Sequence, residues 1–98
     1  MATIDIRRAH ALPAEEAKKR AETLARGMEG KLGIKWRWDG DRIRFEAPSG
    51  AAKGTTGIVS VDTSAVRVEI DLPFLLRAIK GTVESRVNEK LDEVLGRG

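Results

Sequence analysis

Cysteine is absent from the 98 residues of this chain. Disulfide bonds, thiolate nucleophiles and zinc sites built on sulfur are therefore excluded. Tyrosine is absent too, and two tryptophans and two phenylalanines make up the aromatic content. No apolar run approaches the roughly 20 residues that span a bilayer, and no apolar segment follows a basic start at the N-terminus. We therefore expect a cytoplasmic protein with no membrane span.

The excess of positive over negative charge is also small. Lys and Arg number 18 against 15 Asp and Glu, which leaves a formal net charge of +3. This surplus is far below the basic footprint of a dedicated nucleic-acid binder. Hydrophobic residues at 41% and charged residues at 34% are typical of a globular domain. The length suits one domain, which we expect to span residues 1–98.

The first part of the chain predicts a strand followed by a helix. Ile4 and Ile6 alternate with charged residues, which is the period of a half-buried strand. From Pro13 onward apolar residues recur at helical spacing, until Gly30 and Gly33 end the pattern. The arc they cover is about 100° wide, enough to dock one face of a helix. The apolar positions are Ala17, Ala21, Leu24, Ala25 and Met28.

The segment KWRWDGDRIRF, residues 35–45, predicts a β-hairpin. Two registers are open: a turn at residues 39 and 40 pairs Trp36 with Ile43, and a turn at residues 40 and 41 pairs Trp36 with Phe45. Both registers keep the aromatic side chains on one face, because they differ by an even number of residues. We expect that face to point into the protein.

Cations occupy the opposite face of the predicted hairpin. Such a row could hold phosphates, so we take it as a candidate anion contact. A sheet that binds single-stranded nucleic acid generally needs aromatic side chains on the same face as the cations. In this hairpin the alternation of residues places them on opposite faces. We therefore favour a charged exterior over a nucleic-acid site. The four candidate residues are Lys35, Arg37, Arg42 and Arg44.

The rest of the chain predicts two more strands and a second helix. A turn-rich connection, residues 47–57, leads to a strand over residues 58–62 and another over residues 66–72. Pro73 then starts a helix that we expect to continue to about Leu95. The order β-α-β-β-β-β-α indicates an α+β fold, with a mostly antiparallel five-stranded sheet and two helices on one face. By analogy it resembles a reduced helix-grip fold.

The second helix carries an apolar arc of roughly 200°, twice what docking on one sheet face requires. One reading is that the two helices pack against each other and bury the whole arc. The other is that part of the arc stays exposed and contacts a partner protein, a second copy in a homodimer, or an apolar surface. The candidate contacts are Leu75, Ile79, Leu91 and Leu95.

No catalytic set is visible in the sequence. His10 is the only histidine, and no neighbouring motif supplies a nucleophile for it. In GAAKGTT, residues 50–56, Lys53 precedes Gly54 where a phosphate loop needs it to follow. The carboxylates match no known metal-ligand spacing. We therefore predict a non-enzymatic protein with no cofactor and no metal.

Three stretches carry a family resemblance: IDIRRAHAL, WDGDRIRFEAPSG and VEIDLPFLLRAIKGTVESRVNEKLDEVL. With them the chain resembles the small bacterial polyhydroxyalkanoic acid system family, also described as the granule-associated region family. The resemblance implies a cytoplasmic protein linked to the synthesis, use or surface organisation of storage polyester granules, with no established reaction. The connection APSGAAKGTT is longer and richer in glycine than that of the family.

Three hypotheses follow from the residues and the resemblance together. The first is a non-enzymatic binding or accessory module of polyester metabolism or granule organisation, acting through the apolar arc of the C-terminal helix. Its partner is the granule surface, a protein of polyester metabolism, or a second copy. The second is a small apolar-ligand carrier with a cavity between the sheet and that helix. The third is weak nucleic-acid binding through the basic hairpin face.

Overall fold

A computed structural model describes residues 3–50 and 52–95, apart from the side chains of residues 31 and 32. In these stretches the chain forms five strands, two α-helices and a 3₁₀ segment. The order and the α+β class match the prediction. The strands are β1 (Ile4–Ala9), β2 (Lys35–Asp39), β3 (Arg42–Glu46), β4 (Thr56–Val61) and β5 (Ala65–Asp71). The helices are α1 (Ala14–Leu32) and α2 (Lys80–Leu95), and the 3₁₀ segment is Phe74–Ile79.

All neighbouring strands are antiparallel, in the order β1-β5-β4-β3-β2. The first strand therefore lies beside the last one, while β2 forms the opposite edge. Strands β1 and β2 run in the same direction at the two edges, so the connection between them must cross the sheet. Helix α1 makes that crossing. Its 19 residues rise about 28 Å at about 1.5 Å per residue, more than the width of five strands.

The hairpin adopts the register that pairs Trp36 with Phe45. Its two turn residues are Gly40, at φ 64°, and Asp41, which keeps a negative φ. A positive φ at the first turn position alone is the pattern of a type II′ turn, which matches the twist of the flanking strands and favours glycine there. The backbone freedom of Gly40 therefore permits the turn that the structure adopts.

Strand β4 begins two residues earlier than predicted, because Gly57 pairs with Phe45 and continues the ladder. The ring of Phe45 lies directly over this glycine. A Cβ atom at Gly57 would approach the carbonyl oxygen of Glu69 to 2.7 Å, and Phe45 even more closely. Glycine at this position therefore lets the aromatic ring cover the middle of the sheet.

Both helices lie on the face of the sheet to which the tryptophans point. Helix α1 contacts β2, β3 and β4, while α2 contacts β1 and α1. The small side chains of the alanine stripe bring α1 close to the strands. This side of the sheet holds the core, whose largest fully buried side chains are Ile4, Leu24, Ile43, Val59, Val66, Val68 and Leu91.

The predicted continuous helix from Pro73 to Leu95 is wrong in its first turns. Residues 74–79 form a 3₁₀ segment, which opens with a hydrogen bond of 2.8 Å from the N–H of Leu76 to the carbonyl oxygen of Pro73. With three residues per turn, side chains three apart lie on one side of such a segment. This places Ile79 on the same side as Leu76, which packs against the core.

Candidate functional site

The 3₁₀ segment carries the large apolar side chains that are most exposed in the described part of the chain. Phe74 is 82% exposed, Leu75 is 87% exposed and Ile79 is 47% exposed. We call these three residues the apolar tip. On either side of Phe74 and Leu75 the chain is anchored, because Leu72 is buried and Leu76 packs against the core. Leu72 and Leu76 thus fix the backbone on both sides of Phe74 and Leu75, whose side chains point outward.

The four residues predicted to contact a partner are divided by the structure. Leu75 and Ile79 belong to the apolar tip. Leu91 is fully buried at 0% exposure, so its prediction as an accessible contact is wrong. Leu95 is half-buried and packs against the core. Helix α2 lies against both α1 and β1, which covers the stripe on which Leu91 lies.

Sequence reasoning missed Phe74 as part of this surface. The available signal was the run Pro73-Phe74-Leu75-Leu76, which directly follows the buried Leu72. Consecutive residues of a helical turn point in different directions around its axis, so such a run cannot turn every side chain toward one core. A helical wheel of the whole segment hid this, because it treated residues 73–95 as one regular α-helix.

Two cations border the apolar tip. The Nε of Arg77 donates a hydrogen bond of 3.4 Å to the carbonyl oxygen of Leu72, and Lys80 begins α2. Neither side chain forms an ion pair with a carboxylate in the described residues. No Asp or Glu occurs between residues 72 and 83. The tip is therefore an apolar surface with a basic border.

The predicted anion contacts lie on the other face of the sheet. Lys35, Arg37, Arg42 and Arg44 are all exposed there. The face forms a shallow concavity of about 630 Å³ around Ile58, with the cations of β2 and β3 at one side and the carboxylates of β5 at the other. The sequence pattern predicted this separation of the cations from the tryptophans, and the structure has it.

Ion pairs neutralise part of this solvent-facing surface. Arg44 donates from Nε to Asp39 at 2.6 Å, and this hydrogen bond lowers the pKa of that carboxyl. Arg67 binds both carboxylate oxygens of Asp5, at 2.9 and 2.6 Å, which lowers the pKa of Asp5 and raises that of Arg67. Cations and anions both occur on this face, so it offers no uniform potential to a polyanion.

The tryptophans are partly buried on the helix-facing side of the sheet. Both Trp36 and Trp38 pack against the core. The Nε1 of Trp38 donates a hydrogen bond of 3.1 Å to a carboxylate oxygen of Glu22 in α1. The indole rings are thus held under α1, on the face opposite the row of arginines, and no aromatic platform accompanies the cations.

His10 joins two turns at one end of the sheet. Its Nδ1 accepts a hydrogen bond of 3.1 Å from the N–H of Leu12, so its Nε2 carries the proton that is donated to the carbonyl oxygen of Asp62 at 3.0 Å. The carboxylate of Asp62 accepts the N–H groups of Ser64 and Ala65, which lower its pKa. Every ring nitrogen is therefore used in holding the entry of α1 to the β4–β5 turn.

Among the described residues, no three His, Cys, Asp or Glu side chains lie close enough together to bind a metal ion. In the same part of the chain, neither helix combines the length and the apolar character needed to cross a membrane. The space between α2 and the sheet, where a ligand carrier would need its cavity, holds the buried side chains of Val87, Leu91 and Val94.

Fold and surface together define a small α+β protein with an open antiparallel sheet, two helices on one face, and an apolar tip ahead of the C-terminal helix. The chain belongs to the family described as "Putative polyhydroxyalkanoic acid system protein", whose profile matches residues 4–95. Comparisons with curated proteins and with solved structures each found no match.

Proposed function

We propose that this protein is a non-enzymatic accessory module of polyhydroxyalkanoate metabolism or granule organisation that binds through its apolar tip. The observation that carries the proposal is the exposure of Phe74 and Leu75, each above four fifths. Family membership supplies the setting, since the family description refers to the polyhydroxyalkanoic acid system. The proposed place of action is the cytoplasm, at the surface of storage granules.

Energetics support a binding role for the apolar tip. Covering a fully exposed Phe or Leu side chain contributes about 1.5–3 kcal/mol, so two such residues contribute several kcal/mol to an association. Single exposed apolar residues are normal on a protein surface, whereas a contiguous apolar group marks a contact site. Buried Leu72 and core-packed Leu76 already hold the backbone on both sides, so binding needs little further ordering.

Neither of the other two hypotheses gains an observation of its own. The concavity of about 630 Å³ opens to solvent on the far side of the sheet from α2, whereas a carrier needs an apolar cavity beneath that helix. For nucleic acid, the cations and the aromatic side chains lie on opposite faces of the hairpin. The apolar tip is therefore the surface on which the proposal concentrates.

Fluorescence microscopy of a tagged copy in polyester-accumulating cells tests the proposal. The wild-type protein is expected to gather at the granules, and the double variant Phe74→Ser, Leu75→Ser to spread through the cytoplasm. The matched control is Arg37→Ser, Arg42→Ser, which alters two exposed residues on the hairpin and should leave the granule signal unchanged. A diffuse wild-type signal in cells full of granules would count against granule binding.

A second copy of the chain is another partner that this surface allows. Sedimentation velocity of the purified protein tests whether the apolar tip binds a second copy or stays free to bind a granule. If the protein stays monomeric over a wide concentration range, the apolar tip is free to bind a granule. A dimer that dissociates in the Phe74→Ser, Leu75→Ser variant would instead assign the apolar tip to self-association.

A further inference from the structure

We propose that the apolar tip binds an anionic phospholipid layer, with its apolar side chains among the acyl chains and its basic border among the headgroups. This inference deepens the proposed function, since it names the surface that the same site contacts. It rests on three properties of the segment from Leu72 to Val83: its 3₁₀ geometry, its lack of carboxylates and, among the described residues, the absence of an ion pair at Arg77 and Lys80.

The geometry of the 3₁₀ segment places cations beside apolar side chains. At three residues per turn, Phe74 and Arg77 lie on one ridge, which Lys80 continues at the start of α2. Leu75 and the exposed Ala78 lie on a second ridge. The third ridge contains Leu76, which packs against the core, and Ile79, which is partly exposed. Both outward ridges are therefore apolar at their first residue, and one of them is basic further along.

This order suits a layer that is apolar inside and anionic at its surface. Lys and Arg side chains extend their apolar stems along a hydrophobic region while their charges stay at the headgroups. Segments that lie in a membrane interface combine Phe and Leu on one side with Lys and Arg on the other, and bury about 5–10 Å into it. The segment is about 12 Å long, at six residues of about 2 Å each, and it is attached to the protein at Leu72 and Leu76. Phe74 and Leu75 therefore enter the acyl region as side chains, while Arg77 and Lys80 stay at the headgroups.

The charges favour an anionic lipid over a second copy of the chain. Along the sequence the nearest carboxylates are Asp71, on the solvent-facing side of the sheet, and Glu84, one turn into α2. Two copies that met through their apolar tips would bring two pairs of Arg77 and Lys80 together, with Glu84 of each copy as the nearest carboxylate on α2. Such like charges repel at close range. A bare polyester surface, in turn, would leave both cations without a counter-charge.

Flotation of the full-length protein with vesicles tests this inference. One set of vesicles contains phosphatidylcholine alone, and the other an equimolar mixture of phosphatidylcholine and phosphatidylglycerol. Two cations near an anionic surface strengthen binding by about tenfold or more, so the protein should float mainly with the mixture. Raising the salt concentration should reduce that preference, because the attraction between surface charges is screened.

Three variants separate the contributions to binding. Phe74→Ser, Leu75→Ser should weaken binding to the anionic vesicles by about 100-fold or more, since both large side chains lose their contact. Arg77→Gln, Lys80→Gln should reduce binding to the level seen with phosphatidylcholine. Arg37→Gln, Arg42→Gln removes the same charge from the distant hairpin and should keep most of the binding. Unchanged thermal unfolding would show that all three variants remain folded.

Polyester particles prepared without lipid distinguish failure of this inference from failure of the proposed function. Binding to such particles through the apolar tip, without flotation on anionic vesicles, overturns the lipid assignment and keeps the granule role. Absence of binding to both surfaces overturns both proposals. Equal flotation with neutral and anionic vesicles, or a dimer that needs Phe74 and ignores vesicles, also rejects an anionic lipid as the occupant.

Discussion

The 3₁₀ segment and helix α2 follow each other along the chain, share one pattern of apolar residues and end in opposite environments. Helix α2 turns Val87, Leu91 and Val94 into the core, whereas the 3₁₀ segment has no buried residue and leaves Phe74 and Leu75 in solvent. The difference lies in what covers each part. Helix α2 contacts α1 and β1, whereas the 3₁₀ segment contacts mainly α2. Apolar character alone therefore does not distinguish a core residue from a contact residue.

Side-chain bonds strengthen the contrast, because they hold the C-terminal half of α2. Arg8 of β1 pairs with Asp92 and donates to the amide oxygen of Asn88 at 2.9 Å. Arg20 of α1 donates to the carbonyl oxygen of Val94 at 2.7 Å, which satisfies one of the free carbonyl groups at the end of the helix. Within the part of the chain that the structure describes, the 3₁₀ segment has one side-chain hydrogen bond, the long one from Arg77 to the carbonyl oxygen of Leu72. Helix α2 is fixed to the body of the protein, and the apolar tip is attached mainly by its backbone.

The largest expected effect is a loss of stability on truncating α2. Leu91→Ala should lower the free energy of unfolding by about 2–5 kcal/mol, because it opens a cavity in a fully buried site. Leu75→Ala is the matched control, and it should change stability by about 0.5 kcal/mol or less, since its side chain contacts mainly water. Urea unfolding followed by circular dichroism measures both. Equal losses in the two variants would show that the apolar tip is part of the core.

A smaller loss is expected when α2 is released from β1. Arg8→Met keeps the apolar stem but removes the ion pair with Asp92 and the bond to Asn88. Both partners are half-exposed, so the expected loss in unfolding free energy is about 1 kcal/mol. The adjacent Arg7→Met is the control: it alters an exposed arginine on the solvent-facing side, and its effect should stay below about 0.5 kcal/mol. A loss of the same size in both variants would mean that the Arg8 contacts add nothing to the attachment of α2.

A gain in stability is expected at the junction of the two parts. Gly81 lies in the first turn of α2, and a Cβ atom there would meet nothing within 4 Å. Gly81→Ala should therefore raise the unfolding free energy by about 0.5–1 kcal/mol through helix propensity. Gly30→Ala in α1, where a Cβ atom is equally free, should give a similar gain. A loss of stability in Gly81→Ala alone would show that the junction needs the freedom of glycine.

The smallest effect concerns the end of α2. Arg20→Gln shortens the side chain and removes its hydrogen bond to the carbonyl oxygen of Val94. The free energy of unfolding should fall by about 0.5 kcal/mol, the size expected for a partly exposed hydrogen bond. Hydrogen exchange of the last turn of α2 is the more sensitive measurement, because local fraying is detected there before global unfolding. Exchange that is unchanged in that turn would show that Arg20 does not hold the helix end.

Several features could be predicted from local pattern. Alternation along residues 35–45 placed the tryptophans and the arginines on opposite faces, which holds for either register. The register itself was open, because two turns of equal length fit the same alternation. Backbone geometry decided between them, with a positive φ at Gly40 and a negative φ at Asp41. A residue type indicates which turns are possible, and only the folded backbone selects one.

The candidate site was predicted in part. Leu75 and Ile79 were identified from the width of the apolar arc, and Leu91 was included by the same argument although it is buried. A helical wheel gives the direction of a side chain relative to its own helix. It contains no information on where a second helix lies, so it cannot separate the covered half of an arc from the open half. Phe74 was missed because the wheel assumed a regular α-helix from Pro73 onward.

The sequence by itself determined the strands, the two α-helices, their order and the sidedness of the hairpin strands, because periodicity and turn residues act over a few neighbouring positions. Tertiary structure alone decided that α2 is covered and that Phe74 and Leu75 are exposed. The physical reason is that burial depends on what lies opposite a side chain in space. Here α1 and β1 cover the apolar stripe of α2, whereas Phe74 and Leu75 of the preceding 3₁₀ segment are left exposed.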